Sequence, residues 1–409
     1  MTSSSSPFTS YQRRLFVFLG VACFFEGYDF IAISQILPNF RKAMDLTPSQ
    51  GALLIGFINV GTIFSYALVR QADRWGRRRL LRITIAGYTV ASLFSGLAPN
   101  APAFAVAQLV ARIFLIAEWA VSMVYAAEEF PAERRGLVIG VIQAMSSLGS
   151  VVCAGLVPAL LATPLGWRSV YFVGTLPLLI LAFARRGLQE STRFAASHTT
   201  AAPVRRPLAE IVRGPYRTRV FQLAAIWGLT YLCTQTAVTF WKEFALAERG
   251  FSDAQVGTSV SIAAVAAMPL AFAAGKLLDV LGRRGGGAII FLLTSVGVAA
   301  SYTLREHAAL TAALAVTIFG TSSVLPVLNA YTTELFPTEY RGDAFAWSNN
   351  LLGRIGYVLG PVIVGQAAQR IGWGPAAAST AIFPLIALAL ILWLLPETSG
   401  RELEETCAV

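Results

Sequence analysis

Phe24-Phe25-Glu26-Gly27-Tyr28-Asp29-Phe30 sets two carboxylates inside an apolar run that extends from Leu15 to about Pro38. At ~1.5 Å of rise per residue such a run crosses the ~30 Å hydrocarbon core of a bilayer, with both acids deep within it. A charge at that depth costs at least ~2.5–3.5 kcal/mol on insertion scales, so Glu26 and Asp29 must face a polar cavity, carry protons or pair with a cation. Their spacing of three puts them on one helix face. Intramembrane acids either tie a bundle together or mark an ion or substrate path.

Composition agrees with a membrane setting. The chain of 409 residues is 56% hydrophobic and 13% charged, against about 25% charged in a soluble domain. Its net charge of +10 could serve nucleic acid, anionic lipid or membrane topology, and the placement of Lys and Arg favours topology. Cys23, Cys153, Cys233 and Cys407 are scattered, which suggests neither a disulfide framework nor a metal site. No nucleophile elbow and no metal-spaced His/Cys cluster points to an enzyme, nothing supports nucleic-acid binding, and no cleavable signal peptide is expected.

Twelve apolar runs follow one another, approximately 15–38, 51–70, 80–98, 102–126, 136–162, 168–184, 220–247, 255–278, 286–304, 308–333, 342–370 and 375–395. Each is long enough for a helical crossing, and an even number returns both termini to one side. Lys and Arg crowd the N-tail, the loops after the even-numbered runs and the C-tail, which by the positive-inside rule makes these cytoplasmic. The division reads as an N-tail over 1–14, a six-helix bundle over 15–184, a cytoplasmic linker over 185–219, a second six-helix bundle over 220–395 and a C-tail over 396–409.

The two halves repeat. Asp73-Arg74-Trp75-Gly76-Arg77-Arg78 follows run 2, and Asp279-Val280-Leu281-Gly282-Arg283-Arg284 follows run 8. Glu129-Phe130-Pro131, with Arg135-Gly136, follows run 4, and Glu334-Leu335-Phe336-Pro337, with Arg341-Gly342, follows run 10. With Pro396-Glu397-Thr398-Ser399-Gly400-Arg401 after the last run, these motifs resemble those of the major facilitator superfamily of secondary transporters, in its sugar-porter and organic-ion branches. The family's leading Gly of the first loop motif is kept as Gly275 in the second half but is Val69 in the first. The resemblance implies an all-α fold of twelve transmembrane helices in two halves, alternating access, a proton as coupling ion with no other cofactor, and an inner (plasma) membrane location as a monomer. It further implies a cytoplasmic gate formed by Asp73, Arg74, Gly76, Arg77, Glu129, Arg135, Asp279, Gly282, Arg283, Glu334 and Arg341, whose bonds form when the protein faces outward.

Other ionisable residues within runs complete the candidate site. Arg112 lies about ten residues into run 4, near mid-membrane, and is available to Glu26 or Asp29; Glu118 lies in the same run. A carboxylate beside Arg is ionised, whereas one left alone in low dielectric takes up a proton, so making and breaking that contact moves a proton. Arg354, in Gly353-Arg354-Ile355-Gly356, is again near the midplane. That pattern is similar to one in aromatic-acid symporters and organic-anion carriers, where the arginine faces substrate; its planar fork suits a carboxylate. The alternative is an ion pair with Glu26 or Asp29. Tyr28, Gln143, Trp227, Tyr231, Gln235, Asn329, Tyr331 and Asn350 are further candidate substrate contacts, although the stripe of Trp227, Tyr231 and Gln235 suits helix packing equally well. The expected function is proton symport of a small organic anion such as an aromatic or other monocarboxylate. A sugar or polyol symporter, or a drug-efflux antiporter, would use the same scaffold and leave Arg354 unexplained.

Overall fold

The computed structural model describes residues 8–184, 189–190, 208–337 and 340–399. It is helical along nearly all of that length, and its first helix, α1 (Ser10–Ala43), runs about five residues beyond the apolar run at each end. A capping box causes the early start: the Thr9 side chain accepts from the Gln12 backbone N–H while the Gln12 side chain accepts from Thr9. The same device starts α2 (Pro48–Val69) from Thr47 and Gln50. Then come α3 (Arg77–Leu97), α4 (Ala101–Glu129), α5 (Ala132–Leu161) and α6 (Arg168–Ala184).

The second half opens with α7 (Arg217–Thr239), which bends by 50° into α8 (Trp241–Arg249). A long helical stretch, α9 (Asp253–Thr303), breaks at Gly282 into two arms, because φ there is 77° and the chain turns in the left-handed region. Its start repeats the capping box of α2, with Ser252 and Gln255. Next is α10 (His307–Glu334), then a π-helical segment over Ala346–Gly353 leading into α11 (Arg354–Ile371), and finally α12 (Ile382–Leu394). Among the described residues nine helices are long and apolar enough to cross a membrane, ten if α7 and α8 are one span. The runs at 168–184 and 255–278 fall on α6, of 17 residues, and on the first arm of α9. Of the 185–219 linker, residues 185–188 and 191–207 lie outside the described residues.

Close crossings hold each half together. A Cβ on Gly27 would sit 1.8 Å from the Ser146 carbonyl oxygen, so the glycine between the two acids is what lets α1 lie directly against α5. Gly356 does the same for α11, a Cβ there falling 2.0 Å from the Gly228 carbonyl of α7.

The halves meet unevenly. One apolar cluster spans both of them, joining Phe40, Phe104 and Trp167 of the first to Phe240, Phe244 and Trp373 of the second. It lies at the end of the bundle where α1 finishes and α2 begins. At the opposite end, which carries the basic loops, the apolar clusters stay within one half each. Among the described residues, apolar burial shared by the halves gathers at that first end.

Candidate functional site

Between the halves lies a cavity of about 310 Å³, at the small end of the range for sites that enclose small molecules. Phe30 and Ser34 of α1, Asn59 of α2, Arg112 of α4, and Ser147 and Ser150 of α5 line it from the first half. Tyr231, Thr234 and Gln235 of α7, Thr321 and Ser322 of α10, and Tyr357 of α11 face them among aliphatic side chains. Arg112 is the one charged residue among those that line the cavity. It is 4% exposed, its Nη1 has no hydrogen-bond partner, and its guanidinium lies 5.4 Å from the Phe30 ring centroid. Its stem leaves α4 against α2, where a Cβ on Gly61 would come within 3.1 Å of Arg112 Cβ.

Glu26 and Asp29 stand behind this wall rather than in it. Both lie within electrostatic reach of Arg112, Glu26 also beside the Ser146 hydroxyl and Asp29 beside that of Tyr88. No ion pair between either acid and Arg112 closes among the described residues, so the expected contact is a through-space one here. Glu26 Oε2 is itself buried without a partner. Glu118 has a different surrounding: it accepts from Thr84 of α3 and, at 3.3 Å, from Ser122, which ties α4 to α3 away from the cavity.

The second half presents an aromatic face backed by a cation. Tyr231 and Tyr357 line the cavity, and the Arg354 guanidinium packs on both rings, 4.9 and 4.8 Å from their centroids. The Tyr231 hydroxyl donates to Asn349 Oδ1 at 3.0 Å, within the π segment. Arg354 Nε has no hydrogen-bond partner, and no ion pair to Glu26 or Asp29 closes among the described residues. Arg354 therefore sits behind the tyrosine wall, with Arg112 the guanidinium at the cavity itself.

Several candidates are placed elsewhere. The Tyr28 hydroxyl donates to the Val170 carbonyl at 3.1 Å, on the α6 side. Trp227 donates from Nε1 to Thr332 Oγ1 at 3.1 Å and packs in a tilted ring contact against Tyr231, 5.3 Å between centroids, so it packs rather than lines. Gln143 accepts from Trp119 Nε1 at 3.2 Å. Asn329 is exposed, Asn350 is half-buried in the π segment, and Tyr331 is buried toward the basic end near Glu397 and Arg284. None of these six lines the cavity. Asn59, a lone amide in run 2, and the Ser147 and Ser150 pair line the cavity without being among the sequence-based candidates. An asparagine amid apolar residues was the available signal.

At the basic end the repeat motifs build two matching networks. Gly76 and Gly282 turn with φ of 87° and 77°. Arg77 then pairs with Glu128 at 3.0 Å and donates to the Ala72 carbonyl; Arg283 pairs with Glu334 at 3.0 Å and donates to the Leu278 carbonyl. Glu128, three residues before Pro131 as Glu334 is before Pro337, is thus the acid that takes the arginine, and Glu129 is not its equivalent. Each of these two pairs closes between neighbouring helix ends of its own half. Asp279, 76% exposed, adds a 3.5 Å contact to Arg283, Arg341 donates to the Phe336 carbonyl, and Arg74 is exposed. The side chains of Asp73 and Arg135 lie outside the described residues.

A third acid completes each network. Glu190 accepts from the Arg78 backbone N–H at 3.2 Å, and Glu397 accepts from those of Arg283 and Arg284 at 2.8 Å each. Glu397 lies beyond α12, and its carboxyl is held below the ordinary value: burial alone would raise it, but four backbone N–H groups together outweigh that. Glu190-Ser191 and Glu397-Thr398 form a further internal repeat.

Two helical halves around a central cavity, with paired charge networks at one end, define a membrane transporter rather than an enzyme. Residues 19–246 and 223–406 each match the Major Facilitator Superfamily, and the chain belongs to that family. It is 28% identical to a protein of Cupriavidus pinatubonensis described as "Probable 4-methylmuconolactone transporter", over 93% of this chain and 89% of that one. It is 26% identical to the gallate transporter of Pseudomonas putida, over 90% and 88%. Among solved structures, the inward open xylose transporter XylE of E. coli superposes with a TM-score of 0.75 at 18% identity, covering 96% of this chain and 98% of that one, which shows the shared fold.

Proposed function

We propose that the protein is a proton-coupled symporter of small organic carboxylates, working by alternating access across the cell's inner membrane through twelve spans with both termini cytoplasmic. The observation that carries this reading is Arg112: a buried guanidinium at the cavity, over the Phe30 ring, with no counter-ion bonded to it among the described residues. Such a group is satisfied by an anion, and a carboxylate can take two of its N–H donors at once. Several relatives are described as transporters of organic acids, gallate and muconate among them. The Tyr231 and Tyr357 rings, set edge to face at 89°, offer aromatic surface for the rest of such a molecule, and Arg354 behind them adds positive potential.

Coupling follows from linkage. Arg112 lies within electrostatic reach of Asp29 and Glu26, and a substrate carboxylate competes with them for it. Anion binding therefore favours proton uptake by the acids behind, and the two are carried together. Asp29 is the primary coupling residue and Glu26 the secondary one.

Counterflow in proteoliposomes with a labelled aromatic acid tests the reading. Arg112→Gln should abolish it and Arg112→Lys should weaken binding about tenfold or more, since the fork is lost while the charge stays. Asp29→Asn should spare exchange and abolish accumulation driven by a pH gradient. An Arg112→Gln protein that still exchanges the acid at the wild-type rate, or a wild-type protein that binds the acid and its amide equally well, overturns it.

A further inference from the structure

The cavity has a second polar group without a partner, of the opposite kind. Asn59 is fully buried in α2, its Nδ2 donates to the backbone carbonyl of Tyr357 in α11 at 3.3 Å, and its Oδ1 has no hydrogen-bond partner. The carbonyl partner decides the amide's orientation, because turning the side chain over would set two acceptor oxygens against each other. Oδ1 is therefore the free atom, and it can only accept. Arg112 can only donate. The two line one cavity from neighbouring helices, and Gly61, two residues beyond Asn59, is the position on which the Arg112 stem rests.

We infer that Asn59 is a specificity-determining residue that selects carboxylates bearing a hydrogen-bond donor, a hydroxyl or an amine, on the body of the molecule. This rests on the carboxylate reading above and adds to it the second group that the substrate must carry. A buried acceptor left unmatched is penalised, so a site of this kind discriminates between a substrate with the donor and its isostere without it far more strongly than an apolar pocket does. An acceptor-only substituent does not help, since it would place oxygen against oxygen. The amide also bridges the halves through Tyr357, so a ligand seated on Oδ1 touches the α2–α11 contact that must alter when the cavity changes sides.

The test is equilibrium binding, by calorimetry on the full chain in nanodiscs, of benzoate and its hydroxy, amino and methoxy derivatives substituted at each ring position. At one position the hydroxy and amino acids should bind at least about tenfold tighter than benzoate, and the methoxy acid no tighter than benzoate. This comparison needs only the wild-type protein. Asn59→Leu should bring the hydroxy acid to within about twofold of benzoate, while benzoate itself still binds. A methoxy acid as tight as its hydroxy counterpart, no position with a donor advantage, or an advantage that survives in Asn59→Leu overturns the inference and leaves the carboxylate reading standing. If the wild type binds none of the acids, the carboxylate reading falls and the inference with it.

Discussion

At the scale of single residues the site consists of groups that are individually costly to bury, and their positions show what would relieve them. Depth was legible in the sequence for Glu26, Asp29, Arg112 and Arg354, because distance from the end of an apolar run converts directly into distance through the membrane. Direction was not. Whether Arg354 reaches a cavity or lies behind two tyrosines depends on which way a helix is rotated, and the π segment over Ala346–Gly353 shifts that rotation just before it. Outside the membrane the same logic gives a pH dependence. Glu397 has a lowered folded-state value, so the stability it contributes is full above its ordinary value near 4.5 and disappears as pH falls through the lowered one. Glu397→Gln should lower the melting temperature of detergent-purified protein at neutral pH and flatten its decline below about pH 4.5. An acid limb as steep in the variant as in the wild type would assign acid sensitivity to other carboxylates.

At the scale of helices the repeat was easier to read than its register. Matching turn motifs identified two halves, and the structure adds the Thr47-Gln50 and Ser252-Gln255 capping boxes and the Glu190 and Glu397 anchors to the repeat. The register differs from expectation by one residue: Glu128, three positions before Pro131 as Glu334 is before Pro337, takes the arginine, although Glu129 is the acid nearer the proline. Tyr28, Gln143 and Asn329 lie away from the cavity lining: a polar residue in an apolar run shows only that some face is polar. Gly27 tests the α1–α5 crossing. Its Cβ space is filled by the Ser146 backbone, whereas Gly140, also in α5, has open space around it. Gly27→Ala should destabilise by about 1–3 kcal/mol through overpacking, seen as loss of monodisperse protein or a lowered melting temperature. Gly140→Ala should be close to neutral. Equal behaviour of the two would mean that α1 and α5 adjust freely.

At the scale of the whole molecule the halves are clamped at one end, and an ion pair sits within that clamp. Arg41 at the end of α1 donates from Nε and Nη2 to the two carboxylate oxygens of Glu243 in α8, at 2.6 and 2.8 Å, and Glu243 is 3% exposed. Beside it Lys242, also buried, pairs with Asp253 at the start of α9. Because Arg41 and Glu243 belong to different halves, opening this end must break their bond, and each group then regains water in place of its partner. The pair thus favours the form closed at this end without forbidding the other, and its burial makes it less sensitive to salt than a surface bridge. The proposed alternating access requires the two forms to lie within a few kcal/mol, so removing one side of the pair should be enough to change their ratio. Glu243→Gln, in a protein freed of native cysteines and spin-labelled at the exposed positions Lys42 and Ala247, should shift the distance distribution toward longer separations. A change of ~1.4 kcal/mol corresponds to a tenfold gain in the form open at this end. Arg41→Gln should do the same, and the exchanged pair Arg41→Glu with Glu243→Arg should move the distribution back. If both single variants keep the wild-type distances, the pair is a fixed strut within one conformation, and the apolar cluster around Phe40, Trp167 and Phe244 alone holds this end closed.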